Sequence, residues 1–155
     1  MVTLPNGLRT IQVFEDKKLI VTVFLSIVIG SVFWQLLPCY LASTWDISAI
    51  VLINMLFIYP VIEEWVFRGT IQEGLLKKQP LRKAYYGVSN ANLITSCVFT
   101  GFHMIHQPLL FAVLVFIPSV VFGFFKERYS ALLVPIGLHI LFNGIFLLAL
   151  SNKLC

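Results

Sequence analysis

Apolar residues along this chain gather in long runs instead of the short alternations of a soluble helix or strand, and the runs predict the architecture. Leu19 to Ala42 is long enough to cross a bilayer and is interrupted only by Gln35 and Pro38 near its far end. A Ser43-Thr44-Trp45-Asp46 connection follows, with Trp45 where an interfacial aromatic belongs. The second run starts at Ile47 and continues through a charged cluster to Leu76. As a helix it is roughly 45 Å long, so it must tilt or protrude from the membrane. Residues 77–92 are basic and then polar, which predicts a loop whose Ser89, Asn90 or Asn92 caps the next helix.

The third run, Leu93 to His106, is short and stops at Gln107-Pro108, while the fourth, Leu109 to Phe125, contains Pro118. The pair reads either as a tight hairpin of spans or as a span with a re-entrant partner. Lys126-Glu127-Arg128 closes it, and Ala131 to Leu150 is the last run, with Pro135 near its start, where proline is best tolerated. The prediction is an all-α polytopic membrane bundle of about five transmembrane helices, one leading helix followed by a core of four. No repeat or linker divides residues 1–155, which read as a single domain.

Composition agrees: 59% of the residues are hydrophobic and 12% charged, and the mean hydropathy is +0.91, far outside the soluble range. The net charge of +4 does not point to nucleic acid, because the basic residues are divided among short connections. Lys and Arg fall at 9, 17 and 18, then at 68, 77, 78, 82 and 83, then at 126 and 128, with only Lys153 at the end. By the positive-inside rule that alternation predicts an N-terminus in the cytosol and a C-terminus outside, in a multi-pass membrane protein. The charges before the first run and its length argue against a cleavable signal. Cys39, Cys97 and Cys155 match neither a disulfide framework nor a metal-binding spacing and read as small apolar packers.

Against this background Glu63-Glu64-Trp-Val-Phe-Arg68-Gly69 needs a reason, since an ionisable group at bilayer depth costs roughly 2.5–3.5 kcal/mol even on the lenient insertion scale. Glu64 and Arg68 stand four residues apart, acid before base, and are predicted to pair. Glu63 lies about 100° round the helix and is left for another task. Later runs carry Phe99-Thr-Gly-Phe-His103 and His139-Ile-Leu-Phe-Asn143, and the latter two polar residues share a helix face. Counted from the basic ends of their runs, Glu63 is about 21 Å deep, His103 about 16 Å and His139 about 13 Å, so an acid and two imidazoles can meet. A carboxylate and an imidazole can take a proton from water, and a second His with an Asn amide can donate to an oxyanion. That chemistry is peptide hydrolysis inside the membrane.

Glu63-Glu64-x-x-x-Arg68-Gly69, Phe99-x-x-x-His103 and His139-x-x-x-Asn143, in this order on separate apolar runs, resemble the three signature motifs of the CPBP family. That family comprises CAAX prenyl endopeptidases, bacteriocin-processing proteins and Abi-type intramembrane proteases, and the resemblance covers roughly residues 53–150. It implies a glutamate-type endopeptidase core in which Glu63 and His103 activate water, His139 and Asn143 form the oxyanion hole, and Glu64 and Arg68 shape the site. It implies no cofactor. The substrate is expected to be a membrane-anchored protein or peptide. The single leading span is closer to small bacterial members resembling sorting proteases, which cleave C-terminal anchors, than to the larger prenyl-protein enzymes.

Two alternatives stay open on the residues. Glu63, His103 and His139 are chemically suited to Zn2+ with water as fourth ligand, which makes a metalloprotease. The Glu64–Arg68 pair is also compatible with a non-enzymatic partner or immunity subunit or a small transporter, a reading that leaves Glu63 without a role.

Overall fold

The computed structural model describes residues 13, 15–36 and 48–151 of the protein. The predicted Ser43–Asp46 connection, Pro38, Cys39 and Cys155 lie outside the described residues. Five principal helices follow one another: α1 (Lys17–Leu36), α2 (Ala49–Leu76), α3 (Asn90–His103), α4 (Leu109–Tyr129) and α5 (Leu133–Ser151). The fold is the all-α membrane bundle that the apolar runs predict. Four of the helices, α1, α2, α4 and α5, are long and apolar enough to cross a membrane. By contrast α3 has 14 residues, about 21 Å, which is short of the ~30 Å hydrocarbon core.

Two predicted boundaries change. The third run ends as a helix at His103, because Met104 to Gln107 fold into turns that prepare the arrival of Pro108. The fourth continues past Phe125 through Lys126, Glu127 and Arg128 to Tyr129, where Ser130 terminates it in a left-handed conformation at φ 51°. Within this last turn the Lys126 ammonium pairs with Glu73 of α2 at 2.7 Å. The predicted loop 77–92 is also more ordered than its composition implies. It holds a 3-10 turn (Gln79–Arg82) and a hairpin of β1 (Ala84–Tyr85) with β2 (Val88–Ser89). Ser89 is the cap of α3, accepting from the Asn92 N–H at 3.0 Å.

By its contacts the chain divides into two units, residues 1–45 with 144–155, and residues 46–143. In the first, α1 meets the end of α5: Trp34 lies 4.7 Å from Phe146 between ring centroids, and Gly30 brings its backbone close to Ile145. The second contains α2, α3, α4 and the start of α5, and its interior is polar. Asn92 of α3 lies flat on Gly123 of α4, donating to the Val120 carbonyl at 2.9 Å and accepting from Ser96 at 3.1 Å. Gln72 donates to the Gly123 carbonyl at 3.0 Å and to Glu127 at 2.7 Å, and Ser89 also donates to Glu127 at 2.6 Å. Outward, Ile50, Phe57, Val98, Phe102, Leu110 and Ile117 are exposed. An apolar exterior around a hydrogen-bonded interior is what a lipid solvent requires. Cys97, predicted to be a packer, is on the exposed face of α3.

Helix α2 is widened twice. Asn54–Ile58 and Trp65–Gln72 are π-helical and flank the α-helical Tyr59–Glu64. The first widening has a chemical cause. Tyr59 N–H reaches back five residues to the Asn54 carbonyl, and Pro60 has no N–H to give. The Met55 carbonyl is thereby left without a donor from its own helix.

A methyl group at residue 123 would fall 2.1 Å from Asn92 Oδ1, so Gly123→Ala must separate α3 from α4. Overpacking of this kind costs about 1–3 kcal/mol. Thermal melts of detergent-solubilised protein should show a clear loss for Gly123→Ala and none for Gly101→Ala, where an added methyl meets nothing within 4 Å.

Candidate active site

The predicted ion pair is present and wholly buried: Arg68 Nε donates to Glu64 Oε2 at 3.1 Å, and neither side chain is exposed. Two charges out of water need further partners. Arg68 Nη2 donates to the Ser119 carbonyl at 3.0 Å and contacts its hydroxyl at 2.7 Å, while the Phe99 ring lies 5.4 Å from the guanidinium carbon. The other oxygen of Glu64, Oε1, is 2.9 Å from His139 Nδ1. Glu64 therefore bridges Arg68 on its own helix to His139 on α5.

That bridge fixes the imidazole. A carboxylate only accepts, so His139 Nδ1 carries hydrogen and Nε2 is the atom turned towards Glu63, whose Oε2 stands 3.7 Å away. Phe122 stacks on His139 at 5.0 Å between centroids and Phe99 meets it edge-on at 6.0 Å, so the ring has little freedom to turn. Glu63 itself is partly exposed, yet its Oε2 is buried with no hydrogen-bond partner. A buried carboxylate oxygen without a donor is costly. It is a ready acceptor for water or a substrate N–H.

His103 is fixed by its own helix. Its Nδ1 is 2.9 Å from the Phe99 carbonyl, which can only accept, so Nδ1 is the N–H and the Nε2 lone pair stays available. The four-residue spacing of Phe99 and His103 is what makes this contact possible. Ring packing adds to it, with the centroids 4.4 Å apart.

Asn143 Nδ2 donates at 2.8 Å to the Met55 carbonyl, the one that Pro60 leaves unserved. One amide hydrogen is thus committed to α2 and one is left. All six residues singled out from the sequence lie in the same unit of the fold. Direct contacts join Glu63, Glu64, Arg68 and His139, while the hydrogen bonds of His103 and Asn143 run to the backbone. Among the described residues no three His, Cys, Asp or Glu side chains stand together as a metal ligand set.

Sequence reasoning missed Ser119, Phe122 and the Met55 carbonyl. Ser119 carried a signal, a hydroxyl after Pro118 in an apolar run. Nothing marked Phe122, one of 14 phenylalanines.

The family model described as type II CAAX prenyl endopeptidase Rce1-like matches residues 44–145. The chain belongs to this family. All three motifs fall inside the match, and membership makes the Rce1-like chain a protease of the CAAX-type intramembrane endopeptidase class. Its apolar helices make it a multi-pass integral membrane protein. No curated protein and no solved structure matches it.

Removing one partner of a buried pair costs about 3–5 kcal/mol. Arg68→Ala should therefore deplete folded, extractable Rce1-like protein, since Glu64 loses a donor and two Ser119 contacts disappear. Glu63→Gln should leave the yield unchanged on size-exclusion chromatography.

Proposed function

We propose that the protein hydrolyses a peptide bond of a membrane-anchored protein or peptide, near a C-terminal anchor or sorting signal, as a glutamate-type enzyme without a metal. The observation that carries this reading is the buried, unpartnered Oε2 of Glu63 beside a His139 ring held from behind by Glu64. A structural pair needs Glu64 and Arg68 alone, so a non-enzymatic account leaves Glu63 with a desolvation cost and no task.

In the proposed reaction a water held by Glu63 and His103 Nε2 attacks the substrate carbonyl carbon, and its proton passes to one of these two groups. The oxyanion accepts from His139 Nε2–H and from the second amide hydrogen of Asn143. For Nε2 to donate, His139 must be an imidazolium, because Nδ1 already carries hydrogen for Glu64. Collapse of the tetrahedral carbon breaks the C–N bond. The stored proton goes to the leaving amine, giving a new carboxylate terminus and a new amino terminus.

Glu63→Gln keeps size and hydrogen bonding but not the base, so cleavage of a co-expressed anchored substrate should fall to background in protein that remains folded. Loss of one oxyanion donor lowers turnover by a factor of ~10²–10³, the effect expected for Asn143→Ala, with an added loss of stability from the stranded Met55 carbonyl. Mass spectrometry of the new termini identifies the scissile bond and any prenyl group. A chelator should leave turnover intact; inhibition reversed by Zn2+ would move the assignment to a metalloprotease, and undiminished cleavage by Glu63→Gln would sink both.

The same reading puts the N-terminus in the cytosol of a bacterial inner membrane, following the Lys and Arg alternation. An engineered Ser43→Cys should be labelled by an impermeant reagent from outside. Labelling from the cytosolic side alone contradicts that orientation.

A further inference from the structure

Residues 77–86 leave the end of α2 as a positively charged platform that the catalytic reading does not use. Lys77, Lys78, Arg82 and Lys83 are all exposed, and no Asp or Glu occurs between Glu73 and Glu127. Those two flanking carboxylates have partners elsewhere: the exposed Glu73 pairs with Lys126, and Glu127 accepts from Gln72 and Ser89. Glu73 is close enough to Lys77 to act on it electrostatically, but its salt bridge is with Lys126.

At its tip the hairpin holds two exposed tyrosines, Tyr85 at 68% and Tyr86 at 105% of full exposure. Tyr86 has φ 54° and Gly87 φ 87°, positive values at both central positions of a two-residue hairpin, where Asn-Gly is the favoured pair. A bulky aromatic at left-handed φ is a strained choice. It touches nothing in the chain that would reward it, which points to a contact outside the chain.

The platform is also rigid. Gly87 lies against the Phe124 ring so closely that a methyl group there would be 2.9 Å from it. The Asn90 N–H donates to the Lys83 carbonyl at 2.9 Å, its amide donates to the Pro80 carbonyl at 3.3 Å, and Arg82 Nε donates to the Leu76 carbonyl. The backbone that carries the four cations and two aromatic rings is therefore pinned before any partner arrives.

We propose that residues 77–86 dock on anionic phospholipid headgroups, with Lys77, Lys78, Arg82 and Lys83 taking phosphates and Tyr85 and Tyr86 seated at the headgroup boundary. Charge complementarity argues for this occupant, since juxtamembrane cations are drawn to anionic leaflets. Continuity argues for it too: Lys77 directly follows Leu76, the last residue of a span-length helix. Tyrosine is the side chain enriched at that depth, with an apolar ring and a wet hydroxyl.

The test is a nitroxide attached at Tyr86→Cys in a chain whose three native cysteines are serine, in nanodiscs of phosphatidylcholine with or without phosphatidylglycerol. With phosphatidylglycerol present, the label should be more accessible to oxygen than to a water-soluble nickel chelate, and substitution of all four cations by Gln should reverse this. By native mass spectrometry the same quadruple variant should lose about tenfold or more of its preference for retained phosphatidylglycerol. Tyr86→Asn separates docking from folding: it relieves the turn, so it should raise thermal stability while lowering lipid retention. A label in bulk water in both lipids, lipid retention unchanged by the quadruple variant, or Tyr86→Asn retaining lipid like the parent would each overturn the proposal. Ordering of the label only by an added acidic peptide would assign the platform to a protein partner instead.

Discussion

Glu64 is the group on which the site depends, because one carboxylate with no access to water serves two partners. Its Oε2 neutralises Arg68 within α2, and its Oε1 fixes the proton and the tilt of His139 on α5. Arg68 then carries the connection to α4 through Ser119. A buried ion pair contributes little net stability, since desolvation offsets most of the attraction. Here the pair couples three helices to the orientation of one imidazole.

A second constraint operates through the backbone of α2. Pro60 removes an N–H, the helix widens, and the Met55 carbonyl is left to an outside donor. Asn143 supplies it from the same helix face that presents His139, four residues earlier. The turn that carries Glu63 and Glu64 is thus gripped at Met55 from α5 and at Glu64 by His139. π-Helical turns recur at functional positions because they re-aim side chains at the expense of regular hydrogen bonding. The two in α2 bracket the paired glutamates.

Much of this was legible in the sequence where the information is local. Apolar runs gave five helices, of which four prove span-length, the i,i+4 spacing gave the Glu64–Arg68 pair, and the cap of α3 was narrowed to Ser89, Asn90 or Asn92, of which Ser89 serves. The three motifs pointed to the family that the chain belongs to, and their residues fall in one unit of the fold. What failed to show depends on non-local hydrogen bonds. Lys126–Tyr129 read as a loop because of its run of charges, yet the helix continues through it to Tyr129 and Lys126 pairs with Glu73 of α2. Likewise Asn143 read as a free oxyanion donor, because no single-sequence pattern reveals that a proline 83 positions earlier has stranded a carbonyl. The hairpin escaped notice because Tyr86 stands where the favoured Asn-Gly turn carries Asn.

The claim that Glu64 links the scaffold to the chemistry is tested most directly by removing both charges of the pair without changing its bulk, as Glu64→Gln with Arg68→Met. Replacing a buried pair by uncharged groups of similar volume is often neutral for stability, so the reconstituted variant should melt close to the parent. His139 keeps a neutral acceptor at Nδ1 but loses its carboxylate partner, and substitution of such an orienting partner lowers activity by about 10–100-fold. The account predicts a folded protein whose cleavage of a membrane-anchored reporter falls by at least that factor. A folded variant that cleaves at the parent's rate would contradict it.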